Sequence, residues 1–423
     1  MSWLYSSNVV GEVVIRVTVL AGRLTRGERG AGRTLVVAPV GGGNIGDQAL
    51  FEACMKSIPS ASTVVMKVRS GLDYEFLDTR DSLVVELPNL VYGTWMRNWI
   101  DLVRFNRHLT NADKLYFVGA DTLDGAYSEL ASVNRLRIAT VAALRGITTT
   151  VLGFSWNEAP NVRCERLLIR CADAGATLCV RDPESYERVS SLDVRTARLT
   201  ADIVFTLVPE STSVEQQYER GQYCVVNASG LVERLVEGSA DRYVDLIRQV
   251  LEQDMCVVLV PHVIRSGGDD LAVLREVHSQ FRGDPRVTLV DTLLSPTEVM
   301  GLAEGARFVV TGRMHLAVMA LRSGTPAITV ATQGKVEGLL ASLDCSELLV
   351  PADQQGLSGL GEAMRALIES ESDIRTRVAS ALPAVLERAE LNFSDTVRDL
   401  RRDPESFAAR QRGGQTYLHR GVG

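Results

Sequence analysis

The sequence contains no apolar run long enough to cross a membrane, because no window approaches about 18 uninterrupted apolar residues. Basic residues are not in excess: 45 Lys and Arg against 52 Asp and Glu give a net charge of −7, which excludes a general basic field for nucleic acid. The seven cysteines include no C-x-x-C pair, so neither a zinc site nor a disulfide framework is predicted. We therefore expect a cytoplasmic protein whose reduced cysteines are packing residues.

Apolar residues are plentiful, and they recur in short runs typical of buried strands, separated by helical patterns. With 423 residues, 46% of them hydrophobic, the chain is long enough for two domains. Alternating strands and helices predict an α/β fold of two Rossmann-like parallel-sheet domains, with a cleft between their carboxyl edges. The predicted parts are a flexible leader (1–33), an N-terminal domain (34–208), a linker (209–221), a C-terminal domain (222–355) and C-terminal helices with a tail (356–423).

Some details of this alternation can be checked directly. The run Val204 to Val208 is predicted to be the strand that closes the N-terminal domain. In the C-terminal domain, the strand Tyr223 to Asn227 is predicted to be followed by one long helix that continues to Gln253. The leader leaves two alternatives open, an added strand with a linker or a disordered segment.

The clearest chemistry comes from three cations in the stretch from Ala306 to Leu340. Arg313 and His315 fall where a buried strand turns into its helix, and Lys335 follows the next buried strand. In an open parallel sheet these points lie beyond the carboxyl ends of the strands, where ligands bind. N–H groups at the helix starts add positive potential there. The stretch therefore predicts a site for an anion.

The glycine-rich segment after the first strand matches a dinucleotide-binding loop only in part. Gly41, Gly43 and Gly46 satisfy G-x-G-x-x-G, but the acidic residue expected at the end of the next strand is absent. Asp47 adds a carboxylate in the first helical turn, where it would repel a pyrophosphate. A nicotinamide site is therefore disfavoured, and two roles for Asp47 stay open: capping the helix, or accepting a proton or hydrogen bond from a hydroxyl substrate.

Other polar residues follow strands at the same predicted edge. Asp121 and Asp124 could hold a metal or a sugar, although capping and turn formation are commoner uses of such residues. Arg181 could form a salt bridge between the domains or bind a ligand. His262 also follows a strand, in a loop that carries Arg265, and by itself it is a weak signal.

One helical stripe combines aromatic and basic residues. Trp95, Trp99 and Leu102 share one face of a predicted helix from about Thr94 to Leu109. The helix could contact a membrane surface or a lipid-linked acceptor, or it could pack on the sheet through its tryptophans, which is the commoner arrangement. The basic residues of the stripe are Arg97, Arg104 and Arg107.

Five segments of the chain together form the pattern of one family: Gly42 to Asp47, Val180 to Ser185, Thr200 to Asp202, Gly312 to His315, and Lys335-Val336. Through them the sequence resembles the polysaccharide pyruvyltransferase family, over roughly Leu35 to Leu340. The resemblance implies a GT-B-like pair of domains and transfer of pyruvate from phosphoenolpyruvate to two hydroxyls of a sugar, which gives a cyclic ketal and phosphate. It places Arg313 and His315 at the phosphoenolpyruvate site and makes Arg181 a further contact.

The chemistry of this donor agrees with the residues. A carboxylate and a phosphate favour several cations, so Arg313 and Lys335 are predicted to clamp the donor. Protonation of the methylene carbon needs an acid that works near neutral pH, and His315 is the candidate. Asp47 is predicted to orient or deprotonate the acceptor hydroxyl. The residues predicted to bind substrate are Arg181, Lys335, Gly43, Asn44, His262 and Asp121.

The sequence departs from the pattern of this family in two places, and two other functions stay open. Relatives often carry a run of glycines where this chain has Gly119-Ala120-Asp121, which affects the acceptor side, and the leader is unusual. A GT-B-type glycosyltransferase that uses a nucleotide sugar would need a ribose contact, for which Glu298 is a candidate unless it forms a capping box with Ser295. A non-catalytic glycan-binding homologue is the other alternative. We expect no cofactor beyond the donor substrate and no metal, and we leave peripheral contact with the inner face of a membrane open.

Overall fold

The computed structural model describes residues 16, 19, 20, 32–59, 62–69, 82–265, 269–331 and 335–394. Most of the predicted leader and the tail beyond residue 394 lie outside the described residues, as does the side chain of Trp95. Of the leader residues that are described, Val19 is buried in the core cluster of the N-terminal domain.

The N-terminal domain is built on a sheet of seven parallel strands. Their order across the sheet is β3-β2-β1-β4-β5-β6-β7. The residues Leu35, Val36 and Val37 are almost completely buried, as expected of a central strand covered by helices on both faces. The strands are β1 (Arg33–Val37), β2 (Thr63–Lys67), β3 (Leu83–Glu86), β4 (Ala112–Ala120), β5 (Thr148–Phe154), β6 (Thr177–Val180) and β7 (Ala197–Leu199).

The C-terminal domain repeats this plan with six parallel strands, in the order β10-β9-β8-β11-β12-β13. The two parallel sheets confirm the predicted α/β fold class. Buried Cys, Val and Leu residues fill the central strands. The strands are β8 (Tyr223–Asn227), β9 (Cys256–Leu259), β10 (Val287–Leu289), β11 (Val309–Thr311), β12 (Ala327–Ala331) and β13 (Leu349–Pro351).

The helices of the N-terminal domain connect its strands and bury an apolar stripe. In the helix Val162–Asp173, for example, Cys164, Leu168 and Cys171 are buried at the spacing of one helical face. The described helices here are α1 (Ile45–Lys56), α2 (Asn89–Tyr92), α3 (Trp95–Leu109), α4 (Glu129–Leu144), α5 (Val162–Asp173) and α6 (Pro183–Ser190).

The C-terminal part of the chain adds nine described helices. No described helix is both long and apolar enough to cross a membrane. They are α7 (Gly230–Leu235), α8 (Ser239–Leu251), α9 (Asp270–Ser279), α10 (Pro296–Gly305), α11 (Met314–Arg322), α12 (Lys335–Ser342), α13 (Gln354–Ser358), α14 (Leu360–Glu369) and α15 (Glu371–Glu390).

The predicted strand Val204 to Val208 is wrong. The residues Ile203–Thr206 form a 3-10 helix, and the strand that closes the sheet is β7. The cause is Asp202, whose Oδ1 accepts the Val204 N–H at 3.0 Å. A carboxylate that bonds the backbone two residues ahead favours a turn over an extended strand.

The predicted single helix to Gln253 is also wrong, because the chain breaks into α7 and α8. Gly238 adopts φ +78 between the two helices, a left-handed conformation that ends one helix and cannot continue it. The carboxylate of Glu233 then accepts the N–H groups of Gly238 and Ala240, both at 3.2 Å, at the start of the second helix.

Both sheets have a point where the strand order reverses. In the first sheet it lies between β1 and β4, and in the second it lies between β8 and β11. Parallel sheets bind ligands beyond the carboxyl ends of the strands at such points. The candidate residues follow these strands: Asp47 comes after β1, Asp121 after β4, and Arg313 and His315 after β11.

Candidate functional site

The two domains meet through backbone hydrogen bonds of the glycine-rich loop. The Ile264 N–H donates to the Gly43 carbonyl at 2.8 Å, and the Ile45 N–H donates to the His262 carbonyl at 3.0 Å. A Cβ on Gly43 would overlap the Ile264 carbonyl oxygen, so glycine is needed for this close approach. The main chain of this loop therefore bonds to the other domain, which differs from the phosphate-cradling use of such loops.

Asn44 and Asp47 lie in the first turn of α1. Asn44 caps the helix, because its Oδ1 accepts the Gly46 N–H at 3.0 Å, so Asp47 is not the capping residue. Asp47 Oδ2 lies 3.8 Å from Arg265 Nη1 of the other domain. Burial raises the pKa of Asp47 above its usual 3.8, while the charges of Arg265 and His315 act in the opposite direction.

His315 lies directly against this first turn. A Cβ built on Gly46 would stand 2.6 Å from His315 Nδ1, so the absence of a side chain at Gly46 makes room for the imidazole. On its other side, His315 Nε2 lies 3.6 Å from Oδ2 of Asp202, beyond hydrogen-bonding distance. Among the described residues, Nε2 has no hydrogen-bond partner. The imidazole of the C-terminal domain therefore packs against the N-terminal domain, with its Nε2 near the carboxylate of Asp202.

Asp202 belongs to a buried ionic network of the N-terminal domain. Its Oδ2 accepts from Arg181 Nη1 at 2.7 Å, and Arg181 Nε donates to Ser155 Oγ at 2.8 Å. Burial alone would raise the pKa of Asp202, but His315 and Arg181 lower it to about 2. The predicted ligand contact Arg181 has a side chain that is only 1% exposed and is bonded within its own domain.

Arg313 is paired with a second buried carboxylate. Its Nη2 lies 2.6 Å from Asp270 Oδ1, and its Nε lies 3.2 Å from the same oxygen. Asp270 has no exposed surface and also accepts the backbone N–H groups of Gly230, His262 and Val263 at 2.9 to 3.1 Å. A carboxylate with this many donors fixes the position and plane of the guanidinium.

His262 is a buried histidine of the site, and its ring makes no hydrogen bond to a described residue. The residue is 2% exposed, and within the described part of the chain neither ring nitrogen has a hydrogen-bond partner. Burial lowers the pKa of His262 well below 6.5, and the nearby charges of His315 and Arg313 lower it further. A buried neutral imidazole with two unsatisfied nitrogens is costly unless a ligand supplies the missing partner.

Lys335 crosses from the C-terminal domain to Asp121 of the N-terminal domain. The two residues form an ion pair, and Tyr127 joins it by donating to Asp121 Oδ2 at 3.0 Å while accepting from Lys335 Nζ at 3.3 Å. Burial alone would raise the pKa of Asp121, yet the charges of Lys335 and Arg181 hold it far below its ordinary value. Burial would likewise lower the pKa of Lys335, but Asp121 raises it overall.

Two candidates are bonded to partners within their own domain. Asp124 accepts the Ala126 N–H at 2.9 Å, which forms a turn, and the Asn157 side-chain amide at 2.6 Å. Glu298 forms the capping box with Ser295, since each side chain accepts the backbone N–H of the other. Among the described residues, no group of three or more His, Cys, Asp or Glu is arranged to hold a metal ion.

The comparison with protein families decides what this site belongs to. Residues 44–334, more than half of the chain, match the family model described as polysaccharide pyruvyl transferase. The chain belongs to the polysaccharide pyruvyl transferase family. This confirms the resemblance found in the sequence, and the matched span contains the residues of the site except Gly43 and Lys335.

Solved structures share the fold of this pyruvyl transferase family member. The UDP-GlcNAc 2-epimerase from Methanocaldococcus jannaschii is 12% identical with a TM-score of 0.55, covering 78% of this chain and 92% of its own. The Neisseria meningitidis enzyme bound to UDP-GlcNAc is 11% identical with a TM-score of 0.55, covering 85% and 97%. Anabaena Alr3699/HepE in complex with UDP and glucose is 11% identical with a TM-score of 0.54, covering 87% and 99%.

These low identities show the GT-B-like fold and nothing finer. Among curated proteins, none matches the sequence of this chain.

Sequence reasoning missed three residues of the site. Asp202 and Asp270 pair with Arg181 and Arg313, and Tyr127 joins the Lys335 pair. The available signal was a general one: a buried cation requires a carboxylate partner, and both aspartates come after strands. Spacing along the chain does not say which carboxylate it is.

Proposed function

We propose that the protein transfers the pyruvyl group of phosphoenolpyruvate to two hydroxyls of a sugar in a polysaccharide or glycolipid precursor. Of the two hydroxyl protons, one is matched by the proton that the methylene carbon of the donor gains, and the other leaves with the phosphate. The carbon that carried the phosphate ester forms two new bonds to sugar oxygens and becomes a cyclic ketal. The observation that supports this reaction is the convergence of His315, His262, Arg313 and Lys335 at one inter-domain site in a pyruvyl transferase family member.

Donor binding is proposed to use cations that are already oriented by carboxylates. Asp270 fixes Arg313 so that its plane is set before the ligand arrives, which reduces the entropic cost of binding. Lys335 has three ammonium protons, of which Asp121 and Tyr127 account for two. His262 contributes hydrogen-bonding capacity that no described residue satisfies. Phosphate and carboxylate oxygens are suitable partners for all three side chains.

His315 is proposed as the acid that protonates the methylene carbon. Among the described residues its Nε2 has no hydrogen-bond partner, and the carboxylate of Asp202 lies 3.6 Å away from this nitrogen. Arg181 Nη1 donates to Oδ2 of Asp202, the same oxygen that lies near the ring, and so holds the carboxylate in place. Asp202 is therefore a positioning residue, and Arg181 acts through it.

The acceptor is proposed to approach from the side of α1 and β4. Asp47 has a pKa raised by burial, which brings a carboxylate closer to the range in which it accepts a proton from a hydroxyl. Asp121 lies on the same side and is close enough to Asp47 for the two charges to interact. We assign the base role to Asp47, because Asp121 is neutralised by Lys335.

A nucleotide-sugar enzyme is the second candidate, because solved structures with the same fold bind UDP or UDP-GlcNAc. In this chain, however, Glu298 accepts the Ser295 N–H at 2.9 Å within a capping box, so the residue predicted to contact a ribose is already bonded.

The test compares the two donors on the full chain and on a single variant. Phosphoenolpyruvate should raise the melting temperature, with about 2.7 kcal/mol of stabilisation at 100-fold excess over Kd, while UDP-GlcNAc should not. His315→Gln should still bind phosphoenolpyruvate but release phosphate roughly 100-fold more slowly with a glycan extract as acceptor. His278→Gln, on the helix α9, is the matched control and should behave like the wild type.

Stabilisation by UDP-GlcNAc without an effect of phosphoenolpyruvate would contradict the proposal and support a nucleotide-sugar enzyme instead. Full phosphate release by folded His315→Gln protein would end the assignment of the acid.

A further inference from the structure

The helix α3 has an exposed face that its own packing does not explain. The buried side of the helix carries Leu102, Phe105 and Leu109, and the half-buried Trp99 packs against the same core. On the opposite side, Met96 is 63% exposed and Ile100 is 55% exposed, and Val103 continues this row one turn further along. We call Met96, Ile100, Val103 and the exposed arginines of the same side the outer face of α3.

The composition of this outer face is unusual. Every exposed residue of α3 whose side chain is described is either apolar or an arginine. An ordinary solvent-facing helix carries carboxylates and amides as well. The acidic residue of the helix, Asp101, is buried, where it accepts the Asn89 N–H at 2.8 Å, although its other oxygen also lies 3.4 Å from Arg104. The exposed residues are Met96, Arg97, Ile100, Val103, Arg104 and Arg107.

The charge of this face opposes that of the whole chain. The protein carries a net charge of −7, yet the outer face carries three arginines and no exposed carboxylate among its described residues. Apolar side chains flanked by arginines are the pattern of a helix that lies in the interface of an anionic membrane. A helix of 15 residues with three exposed arginines lies along such a surface and does not cross it.

The outer face begins at the edge of the sheet that carries the site. The strands β3 and β4 are parallel, so the segment that follows β3 starts at the same edge as the loop of Asp121. Tyr92, just before α3, accepts a hydrogen bond from Arg135 at 2.7 Å, and Arg135 lies on α4, the helix that follows this loop. The Met96 end of the face therefore lies on the acceptor side of the molecule.

We propose that the outer face of α3 docks the protein on an anionic membrane surface. A second step rests on the proposed pyruvyl transfer: if the protein docks on a membrane, the acceptor is a glycan that is carried by a membrane lipid. A second copy of the chain is disfavoured as the occupant, because a symmetric contact would bring two sets of three arginines together.

The experiment measures binding of the full chain to vesicles without either substrate. The wild type should sediment with vesicles made of equal parts phosphatidylcholine and phosphatidylglycerol, and not with phosphatidylcholine alone. Arg97→Gln with Arg107→Gln should weaken vesicle binding at least about tenfold, given that each basic residue near an anionic surface contributes about fivefold. Met96→Ser with Ile100→Ser should also weaken it, since the inserted apolar area is lost.

The matched control is Arg234→Gln with Leu235→Ser, the same two types of change at exposed positions of α7. This variant should bind vesicles like the wild type. Absence of wild-type binding, equal binding to neutral vesicles, or an equal loss in the control would overturn the proposal. So would a change from dimer to monomer in sedimentation of the Met96→Ser, Ile100→Ser variant. Phosphoenolpyruvate binding, measured separately by calorimetry, should be unchanged in all variants, which separates this test from that of the reaction.

Discussion

At the scale of single residues, the site is defined by which polar atoms are bonded and which are not. Arg181, Arg313 and Lys335 were all predicted from their positions after strands, but the sequence could not show that each is paired with a buried or half-buried carboxylate. His262 was a weak signal in the sequence, because a lone histidine after a strand is common. The structure makes it a candidate for ligand binding, because both of its ring nitrogens are buried without a described hydrogen-bond partner.

The first prediction concerns the stability cost of His262. Its pKa lies well below the 6.5 of an unfolded chain, so the unfolded state binds more protons as the pH falls below 6.5. The folded protein should therefore lose stability between pH 7 and pH 5, by up to about 1.4 kcal/mol per pH unit from this residue. In His262→Leu this contribution should disappear, as shown by denaturant midpoints at each pH.

The same variant separates a ligand-binding role from a packing role. At pH 7 the substitution removes two unsatisfied buried nitrogens, so stability should stay the same or rise, while the affinity for phosphoenolpyruvate should fall at least about tenfold. Thr196→Val is the control, because it removes, in the other domain, a buried hydroxyl without a described partner. Unchanged donor affinity in His262→Leu would leave His262 as a packing residue only.

At the scale of elements, the site depends on two helix starts that face each other. The helix α1 begins beside the glycine-rich loop, and α11 begins at Arg313 and His315. The sequence predicted both starts correctly from the strand-to-helix transitions. It predicted that Gly43 binds substrate, and this stays a prediction. It did not predict that Gly43 makes a contact between two backbones or that Gly46 admits a side chain, because each partner lies more than 200 residues away, a distance at which spacing carries no information.

The second prediction tests this contact between the helix starts. Gly46→Ala would place a Cβ 2.6 Å from His315 Nδ1 and 3.0 Å from its Cγ, so the imidazole must shift. Displacement of a catalytic group by about 1 Å costs up to roughly 100-fold in rate, and phosphate release should fall accordingly. Alanine is a better helix former than glycine by about 1 kcal/mol, so the helix itself should not be destabilised.

Gly359→Ala is the control for the second prediction. The φ of Gly359 is −87, and the nearest atom to its added Cβ would be 3.4 Å away, an ordinary contact. Rate and melting temperature should both match the wild type. If Gly46→Ala retained the full rate, His315 would not need its position against α1.

At the scale of the whole molecule, the fold was largely predictable and the contacts between domains were not. Buried apolar runs and helical periodicity predicted both parallel sheets, because these patterns are local. The C-terminal connection shows the limit. Asn392, just beyond α15, accepts the Gly153 N–H and donates to the Ala201 carbonyl, both at 2.9 Å, so the end of the described chain returns to the N-terminal domain. No local pattern identifies Asn392 as such a contact.

The charges of the whole site are balanced across the two domains. The described cations Arg181, Arg265, Arg313 and Lys335 each lie within 4 Å of a carboxylate. Under the proposed function, the donor brings a phosphate and a carboxylate to these paired cations, and the histidines add hydrogen-bonding capacity. Because each cation already has a carboxylate beside it, we propose that the donor is held by directed hydrogen bonds from both domains and not by an excess of positive charge.

The last prediction is that phosphate release survives exhaustive chelation. The two carboxylates best placed by sequence for a metal are already bonded: Asp121 is paired with Lys335, and Asp124 accepts from Ala126 and Asn157. Removing them from these partners would leave buried groups unsatisfied, at a cost of about 1–3 kcal/mol each. Initial rates should be equal with and without excess EDTA. A loss of activity that magnesium or manganese restores would contradict this and would make Asp121 and Asp124 metal ligands, with Lys335 displaced on loading. Asp124→Asn then distinguishes a metal-binding role of this residue from a turn-forming role, because the substitution keeps the acceptor oxygen of the turn but weakens a metal site.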